Sequence, residues 1–159
     1  GAWKQYENSE ARLYRFYTWG DFYDICARLN SLYTQYKDME QCIDIDSDDY
    51  SISLRKFFDG VKGIPASTTK SAAKRVNMML RWLVRDDGIV DFGIWKTLDK
   101  RNLLIPLDTH VHQQGRAMGI TTRNSADITT AKEITDYMKT IFPDDPTLPN
   151  ICREGGQKS

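Results

Sequence analysis

No stretch of this chain is long and apolar enough to span a bilayer. A membrane helix needs about 20 consecutive apolar residues, and the longest runs here are short pieces such as Leu103–Leu107. A charged-then-apolar leader is missing as well, so export is not expected. Cysteine is scarce: Cys26, Cys42 and Cys152 lie far apart, form no Cys-x-x-Cys pair and are odd in number. That pattern argues against a disulfide framework or a zinc module and reads as reduced thiols in a cytoplasmic protein. Strand patterns are thin. Val90–Trp95 and Leu103–Leu107 are the only candidates and neither has an alternating partner, so the expected class is all-α. Internal repeats, low-complexity tracts and long linkers are absent. Net charge is zero, which alone argues against a nucleic-acid partner.

What is present suits one domain with a real core: 159 residues, 40% hydrophobic and 28% charged. A single helical domain is expected over residues 1–145, followed by a loosely ordered tail over 146–159. Gly1-Ala2 in place of an initiating Met reads as a processed or engineered start, so a longer natural protein is expected. The neutral total hides an uneven distribution. From Arg55 to Arg116 there are 12 Lys or Arg and 6 Asp or Glu, whereas Asp38–Asp49 holds six acids and no base. Such an arrangement either builds a basic face or is ordinary surface scatter.

Along the chain, Ser9–Tyr17 reads as a short helix. Thr18 caps the next one, with Asp21 at its third position, and Phe22, Ile25, Cys26, Leu29, Leu32, Tyr33 and Tyr36 form one stripe. Asp44–Asp49 is an acidic turn, and Tyr50–Gly60 is helical with Gly60 closing it. Val61–Thr69 is a turn leading into a helix over Lys70–Arg85, capped by Thr68 or Thr69. Gly88–Leu98 is irregular and Leu103–Leu107 is a short apolar connection broken by Pro106. Thr109 caps a helix that stops at Gly119, and Thr130-Ala131-Lys132-Glu133 is a capping box for a helix ending near Phe142. Pro143, Pro146 and Pro149 forbid its continuation.

In the helix from Lys70, at about 100° per residue, Lys74, Arg81 and Arg85 fall within roughly 60° of Lys70. Ala72, Val76, Met79, Leu80 and Leu83 take the opposite side. Four like charges on one face repel each other, and something must compensate. Nucleic-acid phosphates would do so; so would Asp86, Asp91 or Asp99 from the following loop.

Asp108-Thr109-His110-Val111-His112 has the Asp-x-His-x-His form of a metal-dependent hydrolase entrance. The reading fails on two counts. His110 and His112 are the only histidines, and on a helix they point about 200° apart. No metal or cofactor is expected, and the two histidines read as one inward and one outward residue of a first helical turn.

Ile105-Pro106-Leu107-Asp108-Thr109-His110-Val111, followed by Arg116 and Met118-Gly119-Ile120, resembles a signature of the helix–hairpin–helix (HhH-GPD) DNA glycosylases. Ile64-Pro65 with Lys70-Ser71-Ala72 resembles their hairpin, although Ala66-Ser67-Thr68 stands where Gly-Val-Gly is usual. A closer resemblance covers nearly the whole chain. Lys74-Arg75-Val76-Asn77-Met78, Leu80-Arg81-Trp82, Asp87-Gly88, Phe92-Gly93-Ile94-Trp95 and Asp144-Asp145-Pro146 are similar to an uncharacterised bacterial family near that superfamily. The resemblance implies a multi-helix orthogonal bundle of which this chain is the central and C-terminal part, with some of one lobe expected before Gly1. It places Asp108 on the essential aspartate and Lys70, or else Lys74, on the lysine nucleophile of bifunctional members. The cysteine cluster of some members is absent, so no iron–sulfur cluster is implied.

That chemistry explains the residue types. Breaking a base–deoxyribose bond builds positive charge on the sugar, and a carboxylate such as Asp108 stabilises it. A lysine that has given up its proton attacks the same carbon and forms a Schiff base; a second cation beside it, Lys74 beside Lys70, favours the loss. The flipped base needs an aromatic receiver, for which Trp82, Trp95 and Phe92 are the candidates. Arg75, Arg81, Arg85 and Arg116 would meet DNA phosphates. Plainer roles stay open: Asp108 as a helix cap, Lys70 as a solvated lysine, the aromatics as core. The expected function is therefore a DNA glycosylase-like repair protein with lyase chemistry. The alternatives are a non-catalytic nucleic-acid binder on the same fold, or a structural domain whose lysines pair with loop acids.

Overall fold

The computed structural model describes residues 1–148; residues 149–159 of the expected tail, Pro149 and Cys152 among them, lie outside the described residues. The described chain forms two compact units, Gly1–Asp44 with Ile52–Ser67, and Ile45–Ser51 with Thr68 onward. Among the described residues helix dominates, with one two-stranded ribbon, and no helix is long and apolar enough to cross a membrane.

In the first unit a 3-10 turn, Ala2–Tyr6, precedes two short antiparallel strands, β1 (Arg12–Tyr14) and β2 (Tyr17–Thr18). This corrects the helix expected over Ser9–Tyr17 and the strictly all-α class. Asn8 and Arg15 take left-handed backbone at φ +55° and +51°, which a right-handed helix does not admit. Tyr14, Phe16 and Tyr17 around the second of these favour extended backbone. Thr18 then caps α1 (Trp19–Gln35) as the spacing predicts. Its hydroxyl accepts from the Asp21 amide at 3.2 Å, and Asp21 accepts from the Thr18 amide at 2.7 Å. Lys62 holds the Asp21 carboxyl below its usual range, aided by that amide. Leu32 is fully buried, but Tyr33 is 57% exposed and leaves the expected stripe.

Helix α2 (Ser51–Phe57), all but Ser51 in the first unit, is shorter than the expected Tyr50–Gly60. The chain turns instead through Phe58 to Gly60 at φ +83°. Buried Arg55 crosses to the next turn, donating to the carbonyls of Pro65, at 3.1 Å, and Ala66. A buried guanidinium is tolerable because carbonyl oxygens receive its protons.

The second unit is built on α3 (Lys74–Val84), α4 (Thr109–Ala117) and α5 (Ile128–Ile141). Its core joins Ala72, Ile105, Leu107, Val111, Ala131 and Ile134, with Ile120 packed against them. The apolar connection Leu103–Leu107 therefore runs buried through the centre rather than as a strand; the Ile105 amide donates to the Thr135 hydroxyl at 3.0 Å. Close approach is built in at Gly115, where an added Cβ would sit 2.8 Å from Ile134 Cδ1.

Three helix starts differ from expectation. α3 begins at Lys74, not Lys70, because Ala73 is left-handed at φ +45° and residues 70–71 are tied elsewhere. The Lys70 carbonyl accepts from the Ile128 amide at 2.9 Å and Ser71 pairs with Asp127. α4 is capped by Asp108 rather than Thr109, and α5 by Asp127 rather than Thr130. Thr130 is fully buried and its hydroxyl donates to the Ser125 carbonyl at 2.6 Å. In both cases an aspartate one to three residues upstream outcompetes the threonine, since an ionised acceptor binds an N–H more strongly.

The end of α3 rests on buried charge. Arg85 donates to Asp91 and, at 2.6 Å, to Asp145; Arg81 reaches Asp91 at 3.3 Å. Arg85, Asp91 and Asp145 are 4%, 3% and 8% exposed. Between them the loop turns on Asp87, whose Oδ1 accepts from the amides of Val90, Asp91 and Ile89, holding its pKa at about 2. At Gly93, φ +54°, an added Cβ would meet Asp86 Cβ at 2.5 Å.

Two predictions concern this unit. Gly93→Ala should destabilise by about 2 kcal/mol or more, from left-handed backbone and a clash together. Gly119→Ala, with φ +71° but open space around it, should cost only about 1 kcal/mol; urea unfolding of both variants checks the order. Asp87 and Asp127 are both held at about 2, below the usual 3.8. Their contribution is present above about pH 4 and is lost as pH falls from 4 towards 2. Asp87→Asn should therefore flatten the pH dependence of the urea midpoint in that window.

Candidate active site

Asp108 and Lys74 meet in the second unit. Asp108 ends the buried Leu103–Leu107 connection and starts α4, so its backbone is set by the core on one side and the helix on the other. Its Oδ1 accepts from the Val111 amide at 2.9 Å, while Oδ2 lies 3.1 Å from Lys74 Nζ. One oxygen thus orients the carboxylate and the other is left for a cation. The two side chains are 24% and 44% exposed, so the pair is open to solvent. Partial burial pushes the Asp108 carboxyl up; the Val111 amide and the Lys74 ammonium outweigh it and hold it below its usual value. Asp108 is therefore a carboxylate at neutral pH.

Lys74 is the first residue of α3. A cation there faces the positive end of the helix dipole, and Asp108 offsets that disadvantage. Lys70 is exposed outside the helix. The four-cation stripe does not form: it loses Lys70 to the altered helix start, and Arg81 and Arg85 to Asp91 and Asp145. Arg85 is too buried to touch a phosphate, and its two donating nitrogens are engaged. Arg75 and Arg116 are exposed.

The aromatic candidates divide. Trp95 is buried at 5%, its amide donating to the Leu83 carbonyl at 2.8 Å, and cannot receive a base. Trp82 and Phe92 are 38% and 67% exposed, and the Phe92 amide donates to the Trp82 carbonyl at 2.6 Å. The loop carrying Phe92 also exposes Ile89 and Ile94, at 88% and 63%, apolar neighbours that sequence reading passed over because no periodicity marks them. The histidines behave as read: His110 is exposed, and His112 is buried with Nε2 2.9 Å from the Arg123 carbonyl. Among the described residues no group of three or more His, Cys, Asp or Glu is arranged to hold a metal ion.

The Lys74–Asp108 pair is partly solvated, so its coupling should be small. A double-mutant cycle with Lys74→Met and Asp108→Asn should give under about 1 kcal/mol in urea unfolding. A coupling several times larger would mean that the pair is a structural clamp.

Residues 2–149 match a family described as a protein of unknown function, DUF2400. No curated protein and no solved structure matches the chain.

Proposed function

We propose, from the premise that the chain belongs to the DUF2400 family, that it is a DNA glycosylase-like repair protein with lyase chemistry at Lys74 and Asp108. The observation that carries this reading is the partly open lysine–carboxylate pair at 3.1 Å, its carboxylate oriented by a helix cap. Base excision needs these two groups beside one sugar carbon. As the C1′–N bond breaks, its electron pair leaves with the base and positive charge grows on the sugar. A fixed carboxylate at Asp108 stabilises that charge. The Lys74 ammonium gives a proton to the departing base and the resulting amine forms the new bond to C1′. A proton then moves from that nitrogen to the ring oxygen as the C1′–O4′ bond breaks, leaving a protonated imine on Lys74.

Lys74 is favoured over Lys70 as the nucleophile because it stands beside Asp108. Arg75 and Arg116 are the remaining phosphate contacts of the original set, and Trp82 and Phe92 the accessible stacking surfaces for a flipped base. The HhH-GPD likeness of the fold belongs to this proposal too, resting on the Pro106-Leu107-Asp108 segment leading into a helix with Arg116 near its end. A structural domain whose basic side chains pair with loop acids is the second reading, favoured by the ion pairs that Arg81 and Arg85 make within the unit.

Borohydride trapping on duplex DNA with an abasic site tests the proposal. Wild type and Lys70→Ala should form a covalent adduct, Lys74→Ala should form none while keeping most DNA binding, and Asp108→Asn should still be trapped, since an abasic site has no base–sugar bond left to break. Absence of any wild-type adduct, or an adduct indifferent to Lys74→Ala, overturns it.

A further inference from the structure

The β1–β2 ribbon in the first unit is exposed on both faces. Arg12, Leu13, Tyr14, Arg15 and Phe16 are all exposed, with Leu13, Tyr14 and Phe16 at 39%, 63% and 63%. A two-stranded ribbon is marginal by itself, and single exposed apolar residues are ordinary. Here, however, aromatic and guanidinium side chains alternate over consecutive positions. The Arg15 guanidinium lies 5.4 Å from the Tyr14 ring centroid, and Arg12 Nε donates to the Arg15 carbonyl at 2.7 Å, bracing the turn. Lys62, 5.5 Å from the Tyr17 ring centroid, is neutralised by Asp21 at 2.8 Å. Among the described residues no carboxylate pairs with Arg12 or Arg15. The ribbon therefore presents two guanidinium groups without a carboxylate partner beside two largely exposed rings, Tyr14 with Arg15 over it and Phe16 tilted against Tyr17 at 5.1 Å.

We propose that this ribbon binds unpaired nucleotides of a nucleic-acid strand, with Tyr14 and Phe16 stacking on bases and Arg12 and Arg15 meeting the backbone phosphates. Charge complementarity selects a polyanion. The rings select one whose own π faces are open, as in a single strand and not in an intact duplex. Lipid headgroups would satisfy the arginines but give the ring faces nothing to stack on. The surface belongs to the first unit and the Lys74–Asp108 pair to the second, and the proposal does not need the catalytic reading to hold.

The test is fluorescence anisotropy of the full chain with labelled oligothymidylate across a salt series. Tyr14→Ala with Phe16→Ala should weaken binding at least about tenfold without changing the salt slope. Arg12→Gln with Arg15→Gln should weaken it and shrink the slope of log K against log salt by about 1.4. Tyr14→Leu with Phe16→Leu keeps apolar bulk without rings, and should match the alanine pair; it guards against loss of the fold, with thermal melting as control. No wild-type binding, or binding indifferent to both pairs, overturns the proposal. So does an effect confined to phosphatidylserine vesicles, or to self-association measured by sedimentation. An absent borohydride adduct with ribbon-dependent binding would sink the repair chemistry alone, and the reverse result would sink the ribbon alone.

Discussion

A buried guanidinium between two buried carboxylates holds the second unit in its shape. Arg85 closes α3, Asp91 sits in the loop that follows and Asp145 lies just beyond α5, so one side chain ties the end of α3 to the adjoining loop and to a segment distant in sequence. Removing such ions from water costs several kcal/mol each, and the arrangement survives only with charge-assisted hydrogen bonds in good geometry. The match is incomplete: Asp91 Oδ1 is buried without a hydrogen-bond partner. The cluster also decides the surface. It takes Arg85 out of contact with solvent and draws Arg81 towards Asp91, leaving Lys74 as the cation at the other end of α3.

Asp108 shows how one residue carries a structural and a chemical duty together. The helix cap occupies one oxygen and fixes the carboxylate's direction, so that the second oxygen is presented without further support. Preorganisation of this kind is what electrostatic stabilisation of a developing cation requires. The same economy appears in the first unit, where Asp21 both completes the α1 capping box and receives Lys62.

Local signals in the sequence reported well where short-range chemistry decides. The Thr18–Asp21 box, the end of α5 near Phe142 and the split of the two histidines into one inward and one outward residue were all legible. Errors arose where a distant segment intervened. Lys70–Ala73 has the composition of a helix start, but its backbone is bound by Ile128 and Asp127, more than fifty residues away. Trp95 and Phe92 looked equivalent as aromatics beside a glycine; the fold buries one and exposes the other. The ribbon at Arg12–Thr18 was missed because two left-handed residues, neither of them glycine, make its turns.

By itself the sequence determined that this chain is mostly helical and that Asp108 stands at the start of a helix. Periodicity and capping are contained within a few residues, so they can be read without a fold. Only the tertiary structure decided which lysine meets Asp108 and which arginines are neutralised. Those outcomes turn on distances of about 3 Å between side chains tens of residues apart, and no local pattern encodes such a distance.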